Sequence, residues 1–363
     1  MDFIAHPLSA FGWSEFFENH FRAYHPQGYA AGRVALEHKQ LYRVYTAGGE
    51  LLADIAGKLR HEAVSRADLP AVGDWVALRP RPEEGKATIH AVLPRRSKFA
   101  RKTAGERTEE QIVGANIDTV LLVMSLNQDF NPRRIERYLA VAWDSGANPV
   151  IVLSKADLCA DVATSAAEIQ AVAAGVPVHI ISAVTQAGLE TLTQYFHSGQ
   201  TVALLGSSGV GKSTLINSLL GHEQQRVREV REHDDRGKHT TTHRELLCLP
   251  QGGLVLDTPG MRELQLWDAQ EGVTRAFDEI EELASQCYFR NCQHQDEPHC
   301  AVREAIEAGT LDAARYGNYD KLQRELRYLE IKQDKGAQLA EKKKWKKLTR
   351  LASQRAEMKR RGY

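Results

Sequence analysis

Residues 201–220 read TVALLGSSGVGKSTLINSLL, and this stretch decides the fold of the central part of the chain. The apolar run TVALL is followed by the complete spacing G-x-x-x-x-G-K-S, from Gly206 to Ser213, and then by the helical run TLINSLL. Glycines let the backbone turn tightly, so that its N–H groups point at an anion placed at the N-terminus of the following helix. The stretch therefore predicts a strand, a phosphate-binding loop and a helix within an α/β domain.

A loop of this kind assigns roles to the residues around it. Lys212 is expected to reach the β- and γ-phosphates of a nucleotide and to act as a catalytic residue, while Ser213 is expected to ligate Mg²⁺. The residues expected to surround the phosphates are Gly206, Ser207, Ser208, Gly209, Val210, Gly211, Lys212, Ser213 and Thr214.

Two motifs downstream are typical of the loops that sense a γ-phosphate. Asp257-Thr258-Pro259-Gly260 ends the apolar run GLVLD, so Asp257 is expected to hold Mg²⁺ through water and the Gly260 N–H to meet the γ-phosphate. Between this motif and the phosphate loop lies a run of threonines, in which Thr241 or Thr242 is expected to complete the Mg²⁺ shell.

Two motifs upstream indicate that the base is guanine. Ser154-Lys155-Ala156-Asp157 ends the apolar run PVIVLS, and a carboxylate there accepts from both N1–H and the 2-amino group of guanine. Adenine offers neither donor, so the carboxylate would be left unpaired against it. Ser182-Ala183, after the run VPVHII, is expected to supply the small loop behind the base.

The order of these motifs is rotated, because the two base motifs precede the phosphate loop instead of following it. Apolar runs at 119–125, 149–154, 176–182 and 201–206 alternate with helical stretches, the clearest being Pro132 to Asp144 with Asn131 as N-cap. Such alternation predicts a parallel sheet covered on both faces, with every motif at the carboxyl ends of strands. Residues 110–270 are thus predicted to form a circularly permuted nucleotide-binding domain.

The N-terminal third of the chain has a different pattern. Residues 1–29 show no clean period, which predicts a poorly ordered arm with some aromatic anchors. Residues 30–105 contain five short alternating runs separated by Gly and Pro turns, which predict a small OB-like β-barrel. The pattern leaves open whether this barrel binds nucleic acid or is a structural module.

The C-terminal third is helical and polar around a cluster of cysteines and histidines. Cys287, Cys292 and Cys300 crowd together with histidines between them, and in a chain without an export signal this favours a metal over disulfides. His294 and His299 are both candidate nitrogen ligands. Cys159 and Cys248 are isolated on apolar stretches and are expected in the core.

Charge and hydropathy limit the kinds of partner that this chain is expected to have. The chain carries 47 basic and 47 acidic residues, but residues 336–363 contain ten Lys or Arg and two Glu, so the rest has a net charge of about −8. Because this basic tail also contains Trp345, we favour the interpretation that it contacts a polyanion such as RNA over the interpretation that it is only solvated. No run approaches the roughly 18 apolar residues of a membrane span. We therefore expect a cytoplasmic protein that contacts no membrane.

Together, the permuted order, GSSGVGKST, GKHTTT, DTPG and C-x4-C-x-H-x5-C resemble the RsgA (YjeQ) family of circularly permuted bacterial GTPases. The resemblance covers about residues 30–335, and the segment SLNQDFNPRRIERYL at 125–139 is also similar to the family. It implies an OB-like barrel, a permuted P-loop GTPase domain and an α-helical zinc-binding domain at 271–335. It also implies a monomeric GTPase that binds the small ribosomal subunit and its rRNA, acts late in its maturation, and is stimulated by it.

The resemblance further implies roles for single residues. One structural Zn²⁺ is expected on Cys287, Cys292, His294 and Cys300, since the family spacing favours His294 over His299. Met261 stands where other GTPases have a water-orienting glutamine, so His239 is expected to be catalytic. Ser154 stands where the family usually has Asn, which ties the base loop to the phosphate loop and can contact the base. The shorter serine is expected to make only part of these contacts.

Two other functions remain open at this level. One is an RNA-binding module whose nucleotide site senses GTP or GDP with little hydrolysis. The other is a GTPase that acts on tRNA or in translation. Hydrolysis measured with and without ribosomal subunits distinguishes them.

Overall fold

The structure is a computed structural model that describes residues 6–38, 41–102, 110–221, 244–257 and 269–333. The chain divides into two compact units. The first contains the described residues up to Asp257 together with Glu271–Asp278. The second contains Ala269, Gln270 and the described residues from Glu279 to Gln333.

Residues 6–29 of the N-terminal arm, the part that the structure describes, pack against the barrel. Helix α1 spans Glu15–Phe21, and Trp13, Phe17 and Phe21 are buried together with Trp75, a residue of the barrel. The Trp13 and Trp75 rings meet edge to face with their centroids 4.7 Å apart. The expectation of a poorly ordered arm is therefore wrong for residues 6–29, because the aromatic anchors bury enough apolar surface to hold the whole segment on the barrel.

The barrel predicted from the sequence is confirmed. Its strands are β1 Ala30–His38, β2 Leu41–Thr46, β3 Gly49–Ile55, β4 Trp75–Arg81 and β5 Lys86–Val92, with the short helix α2, Gly57–Glu62, between β3 and β4. The strand order is β1-β2-β3-β5-β4, and β4 pairs with β1 to close the barrel. Alternate residues such as Val34, Val44 and Ile89 fill its interior.

A buried arginine joins the arm, the barrel and the segment that follows. Arg33, on β1, is 1% exposed, and burial lowers its pKa to about 10. Its Nη2 donates to the carbonyl oxygen of Asn116 at 2.9 Å, its Nη1 to that of Phe11, and its Nε to that of Gly73 at 3.3 Å. These three carbonyl groups satisfy a charge that would otherwise be costly to bury.

A hairpin absent from the sequence prediction links the barrel to the next domain. Strands β6, Lys98–Lys102, and β7, Glu110–Ala115, pair antiparallel as a separate two-stranded sheet. The predicted boundary between residues 105 and 110 falls between these two paired strands. Its buried side chains include those of Phe99, Ile112 and Val113.

The nucleotide-binding domain is an α/β sheet. In chain order its elements are β8 Thr119–Ser125, α3 Pro132–Ser145, β9 Asn148–Ser154, α4 Val162–Val172, β10 Val178–Ile180, β11 Thr201–Leu205, α5 Lys212–Leu220, β12 Glu245–Cys248 and β13 Leu254–Asp257. Strands β10, β9, β8, β11 and β13 lie side by side and parallel, and β12 is antiparallel to β13. The predicted helix at Pro132 is present, but the Asn131 side chain makes no capping hydrogen bond.

The apolar runs are buried as predicted in the centre of the sheet and less so at its edge. All seven residues of β8 are buried, whereas Ile180 of the edge strand β10 is 40% exposed. At the other side the sheet does not end, because β12 pairs with barrel strand β1 through Leu36 and Glu245. Barrel and nucleotide domain therefore share one eleven-stranded sheet.

The C-terminal region is helical. Its helices are α6 Gln270–Ala276, α7 Asp278–Ser285, α8 Ala301–Glu307 and α9 Ala313–Gln333. Helix α6 lies close to α3, since a Cβ on Gly272 would come within 2.0 Å of the Ala140 carbonyl oxygen. In the second unit, Arg315 of α9 pairs with Glu279 of α7, and Tyr319 Oη donates to Glu281 at 2.9 Å. Among the described helices, none has the length and apolar character to cross a membrane.

Candidate nucleotide site and metal centre

The predicted nucleotide motifs that the structure describes meet at one edge of the parallel sheet. Strands β9, β8, β11 and β13 are neighbours in that order, and Ser154, Gly206 and Asp257 stand at or just past the carboxyl ends of three of them. The carboxyl edge of such a sheet is where ligands bind in α/β proteins. Four positions, His239, Thr241, Thr242 and Gly260, lie outside the described residues.

The phosphate loop has the backbone that its glycines predict. A Cβ on Gly206 would lie 2.3 Å from the Val123 carbonyl oxygen, so only glycine fits beside β8. Gly209 and Gly211 have positive φ angles of 78° and 98°, which L-residues rarely adopt. Helix α5 begins at Lys212, so Ser213 and Thr214 lie in its first turn. The Lys212 ammonium lies across the loop and donates to the carbonyl oxygens of Gly206 and Ser207 at 2.7 and 2.6 Å.

Ser154 connects the base loop to the phosphate loop. Its hydroxyl is buried and donates to the Val210 carbonyl oxygen at 2.6 Å, with the Met124 carbonyl oxygen at 3.3 Å as a second acceptor. Because serine has only this one polar atom, no second group remains to reach a base. The structure thus gives Ser154 the contact between the two loops, which is one part of what an Asn at this position would do.

The two base loops are held together. Ser182 Oγ donates to Asp157 Oδ1 at 2.5 Å and accepts from the Thr185 N–H at 3.2 Å. The Ala156 N–H donates to the Ile181 carbonyl oxygen at 3.1 Å. Lys155 takes a left-handed conformation with φ of 58°, which turns the chain sharply after β9. The carboxylate of Asp157 is exposed at this point, with one oxygen oriented by Ser182.

Sequence reasoning missed a charged network beside the phosphate loop. Arg134, in the first turn of α3, donates from Nη1 to Asp129 Oδ1 and to Ser207 Oγ, both at 2.7 Å. Ser207 Oγ in turn donates to Asp129 Oδ2 at 2.5 Å. Asp129 and Arg134 flank Pro132, and only their place in the family-like segment 125–139 distinguished them in the sequence. The network fixes Ser207, the second residue of the phosphate loop, to the β8–α3 connection.

The predicted zinc ligands converge in the second unit. The ligand atoms of Cys287, Cys292, His294 and Cys300 all lie within 4.8 Å of one another. His294 Nδ1 is 3.4 Å from Cys300 Sγ and 3.6 Å from Cys287 Sγ. Burial lowers the pKa of His294, which favours the neutral imidazole that a metal requires. Three thiols and one imidazole fit a closed tetrahedral Zn²⁺ site, and His299 is not part of the group.

The two remaining cysteines are not core residues, so that expectation is wrong. Cys248 is exposed and Cys159 is half-buried. Cys248 is the last residue of β12, where the strand leaves the sheet, and Cys159 lies in the connection between β9 and α4. Position at the end of an apolar stretch therefore did not imply burial.

Comparison with known proteins supports this arrangement. The family model described as RsgA GTPase matches residues 92–267. The small ribosomal subunit biogenesis GTPase RsgA of Opitutus terrae is 49% identical over 350 residues, which cover 94% of this chain and 95% of that relative. A relative of the same name from Syntrophotalea carbinolica is 43% identical, with 94% and 96% covered. An ABC transporter model matches residues 189–356, a range containing the phosphate loop that many nucleotide-binding proteins share.

Two solved structures match most of the chain. YjeQ from Thermotoga maritima is 30% identical with a TM-score of 0.63, and the match covers 82% of this chain and 98% of that one. YloQ, described as a circularly permuted GTPase, is 27% identical with a TM-score of 0.59, covering 82% and 95%. The rotated order of motifs predicted from the sequence is thereby confirmed. The chain belongs to the RsgA family of circularly permuted GTPases and is a GTP-hydrolysing enzyme.

Proposed function

We propose that this protein binds and hydrolyses GTP with Mg²⁺ and acts in the late maturation of the small ribosomal subunit, which stimulates the hydrolysis. The observation that carries the nucleotide part is the contact of Ser154 Oγ with the Val210 carbonyl oxygen, because it joins the base loop to the phosphate loop in one site. The subunit part is supported by relatives that match nearly the whole chain and are named small ribosomal subunit biogenesis GTPases.

Guanine selection rests on Asp157. Its carboxylate accepts from Ser182 through Oδ1 and is exposed, so its acceptor capacity extends to the two N–H groups on the edge of guanine. Ser182-Ala183 backs the base, and Lys155 and Ala156 complete the loop. An adenine in the same place would present no matching donors, and the carboxylate would lose water without a replacement.

Phosphate binding and catalysis rest on the loop that β11 leads into. Its backbone N–H groups and the N-terminus of α5 surround the β- and γ-phosphates, and the Lys212 ammonium adds a positive charge. Ser213 and Asp257 fit as ligands of the Mg²⁺ that a GTPase requires, with Thr241 or Thr242 completing the shell. When bound, that ion neutralises charge on the phosphates. His239 and the Gly260 N–H are proposed to orient the attacking water and the γ-phosphate.

The remaining regions are proposed to hold RNA. The helical region at 271–335, called the zinc module below, is proposed to hold one structural Zn²⁺ on Cys287, Cys292, His294 and Cys300, because these four ligands leave no position open for catalysis. Binding of that ion would contribute to the folding energy of the module. The barrel, this module and the basic tail at 336–363 are proposed to contact the rRNA of the subunit. We propose that the protein works as a cytoplasmic monomer.

Steady-state hydrolysis with and without purified small subunits tests the proposal. We expect GTP turnover to rise when small subunits are added, with large subunits and tRNA as controls, and we expect Lys212→Ala to abolish it in every mixture. Stimulation by tRNA alone would favour a role in translation. Turnover near zero in all mixtures, with tight GTP binding, would favour a nucleotide-sensing RNA-binding module.

Co-sedimentation tests the coupling between nucleotide and subunit. A GTP analogue should raise subunit affinity over GDP by about 1–3 kcal/mol, or about 5- to 150-fold, if the coupling is typical. Equal affinity in the two nucleotide states would contradict a coupling between the bound nucleotide and the subunit.

A further inference from the structure

Strand β12 is the place where the barrel and the nucleotide domain become one sheet. Glu245, its first residue, lies in backbone register with Leu36 of barrel strand β1 on one side and with Asp257 of β13 on the other. A single residue therefore stands between the barrel wall and the strand that carries a proposed Mg²⁺ ligand.

The side chain of Glu245 also connects to the barrel. Its Oε1 accepts from Arg43 Nη2, on barrel strand β2, and both side chains are 27% exposed. Ion pairs that are partly removed from water are screened less than fully exposed ones. The next residue of β12 is held as well, since Tyr45 Oη donates to the Leu246 carbonyl oxygen at 3.1 Å.

The position of Glu245 along the chain relates this joint to the chemistry. Glu245 follows Thr242 by three residues, and its register partner Asp257 begins the D-x-x-G motif. Strand β13 therefore ends, at the proposed Mg²⁺ ligand Asp257, at the level of Glu245. A lateral shift of β12 would move Asp257 with it, and misplacement of reacting groups by about 1 Å lowers rates by about 100-fold.

We propose that Glu245 is a positioning residue for GTP hydrolysis, held in place by the barrel residue Arg43. This inference rests on the proposed function, because it concerns the same nucleotide site. It gives the barrel a direct mechanical connection to the reaction.

A double-mutant cycle in the full-length protein tests the pair. Arg43→Gln and Glu245→Gln should each lower kcat by about tenfold with KM changed less than about twofold, because the nucleotide still binds but is less well aligned. The kcat of the double variant should be no lower than that of either single variant. Stimulation by small subunits should fall in the same variants.

The chain offers a matched control in Glu50. This residue also pairs with Arg43, at 3.4 Å from Nε, but it lies on β3 and so keeps its contact inside the barrel. Glu50→Gln should leave kcat within about twofold of the wild type. The proposal would be overturned if Glu245→Gln kept the wild-type kcat, or if Glu50→Gln lost as much kcat as Glu245→Gln. It would also be overturned if the losses of kcat in the two single variants multiplied in the double variant.

Hydrogen exchange gives a readout that does not depend on activity. The amides of β12 and β13 should exchange faster in Arg43→Gln and Glu245→Gln than in the wild type or Glu50→Gln, because the ladder loses its lateral support. Unchanged exchange in these strands would overturn the proposal even if the wild type did not hydrolyse GTP. Wild-type turnover in the same preparations reports separately on the proposed function.

Discussion

Replacing Ser154 with alanine tests the contact on which the nucleotide site depends. Ser154 is 5% exposed and Val210 is fully buried, and the hydroxyl lies 2.6 Å from the Val210 carbonyl oxygen. Alanine removes the donor and keeps the backbone, so the carbonyl loses this hydrogen bond in a site with little access to water. A buried polar group left unsatisfied costs about 1–3 kcal/mol.

This penalty should appear in nucleotide affinity as well as in stability. Without nucleotide, the phosphate loop of the variant can rearrange until the Val210 carbonyl meets water. Nucleotide binding restores the loop conformation and buries the carbonyl again, so the penalty reduces the free energy of nucleotide binding. A loss of about 1–3 kcal/mol corresponds to a GDP Kd raised by about 5- to 150-fold.

Ser145 provides the matched control for this substitution. It is 6% exposed, and its Oγ donates to the Ala142 carbonyl oxygen at 2.6 Å, at the end of α3. Ser145→Ala should lower the free energy of unfolding in urea to a similar extent but leave GDP affinity unchanged. Titration with a fluorescent GDP analogue measures the affinity. Equal Kd values for Ser154→Ala, Ser145→Ala and the wild type would refute the reasoning.

Three further predictions concern the base, the metal and the response to pH. Asp157→Asn inverts the hydrogen-bonding pattern at the base edge, so in competition assays the variant should bind GTP more weakly and XTP more tightly than the wild type does. If ATP competes for the wild-type site as well as GTP does, the base assignment fails. Cys292→Ser removes one of four metal ligands, so the purified variant should lose its Zn²⁺ and the helical signal of the second unit while keeping nucleotide affinity; a full zinc content would contradict the assigned ligand set. Burial lowers the pKa of His179, whose Nε2 lies 2.8 Å from Tyr195 Oη, so the folded chain binds this proton less readily than the unfolded chain. The free energy of unfolding should therefore be highest above the ordinary pKa of about 6.5 and fall as the pH drops below it, and His179→Gln should reduce the fall seen in urea titrations between pH 8 and pH 5.

Features that depend on neighbouring residues were readable from the chain alone. The glycine spacing of the phosphate loop, the alternation in the five barrel strands and the apolar runs of β8, β9 and β11 each reflect a backbone period within a short window. The Cys and His spacing at 287–300 likewise lies within one loop. Motif order along the chain was enough to recognise the permutation, since order is a property of the sequence itself.

Contacts between distant parts of the chain were not readable in this way. Ser154 meets a residue 56 positions away, Arg134 meets Ser207 at a separation of 73, and Arg43 meets Glu245 at a separation of 202. Nothing in a local period selects such partners, because they are brought together by packing and by strand pairing across domains. The ordered arm shows the same limit, since its aromatic residues become anchors only where the barrel presents Trp75. Tertiary structure thus supplies the joint at β12, because the hydrogen bonds of a sheet edge are satisfied by whichever strand the fold places beside it.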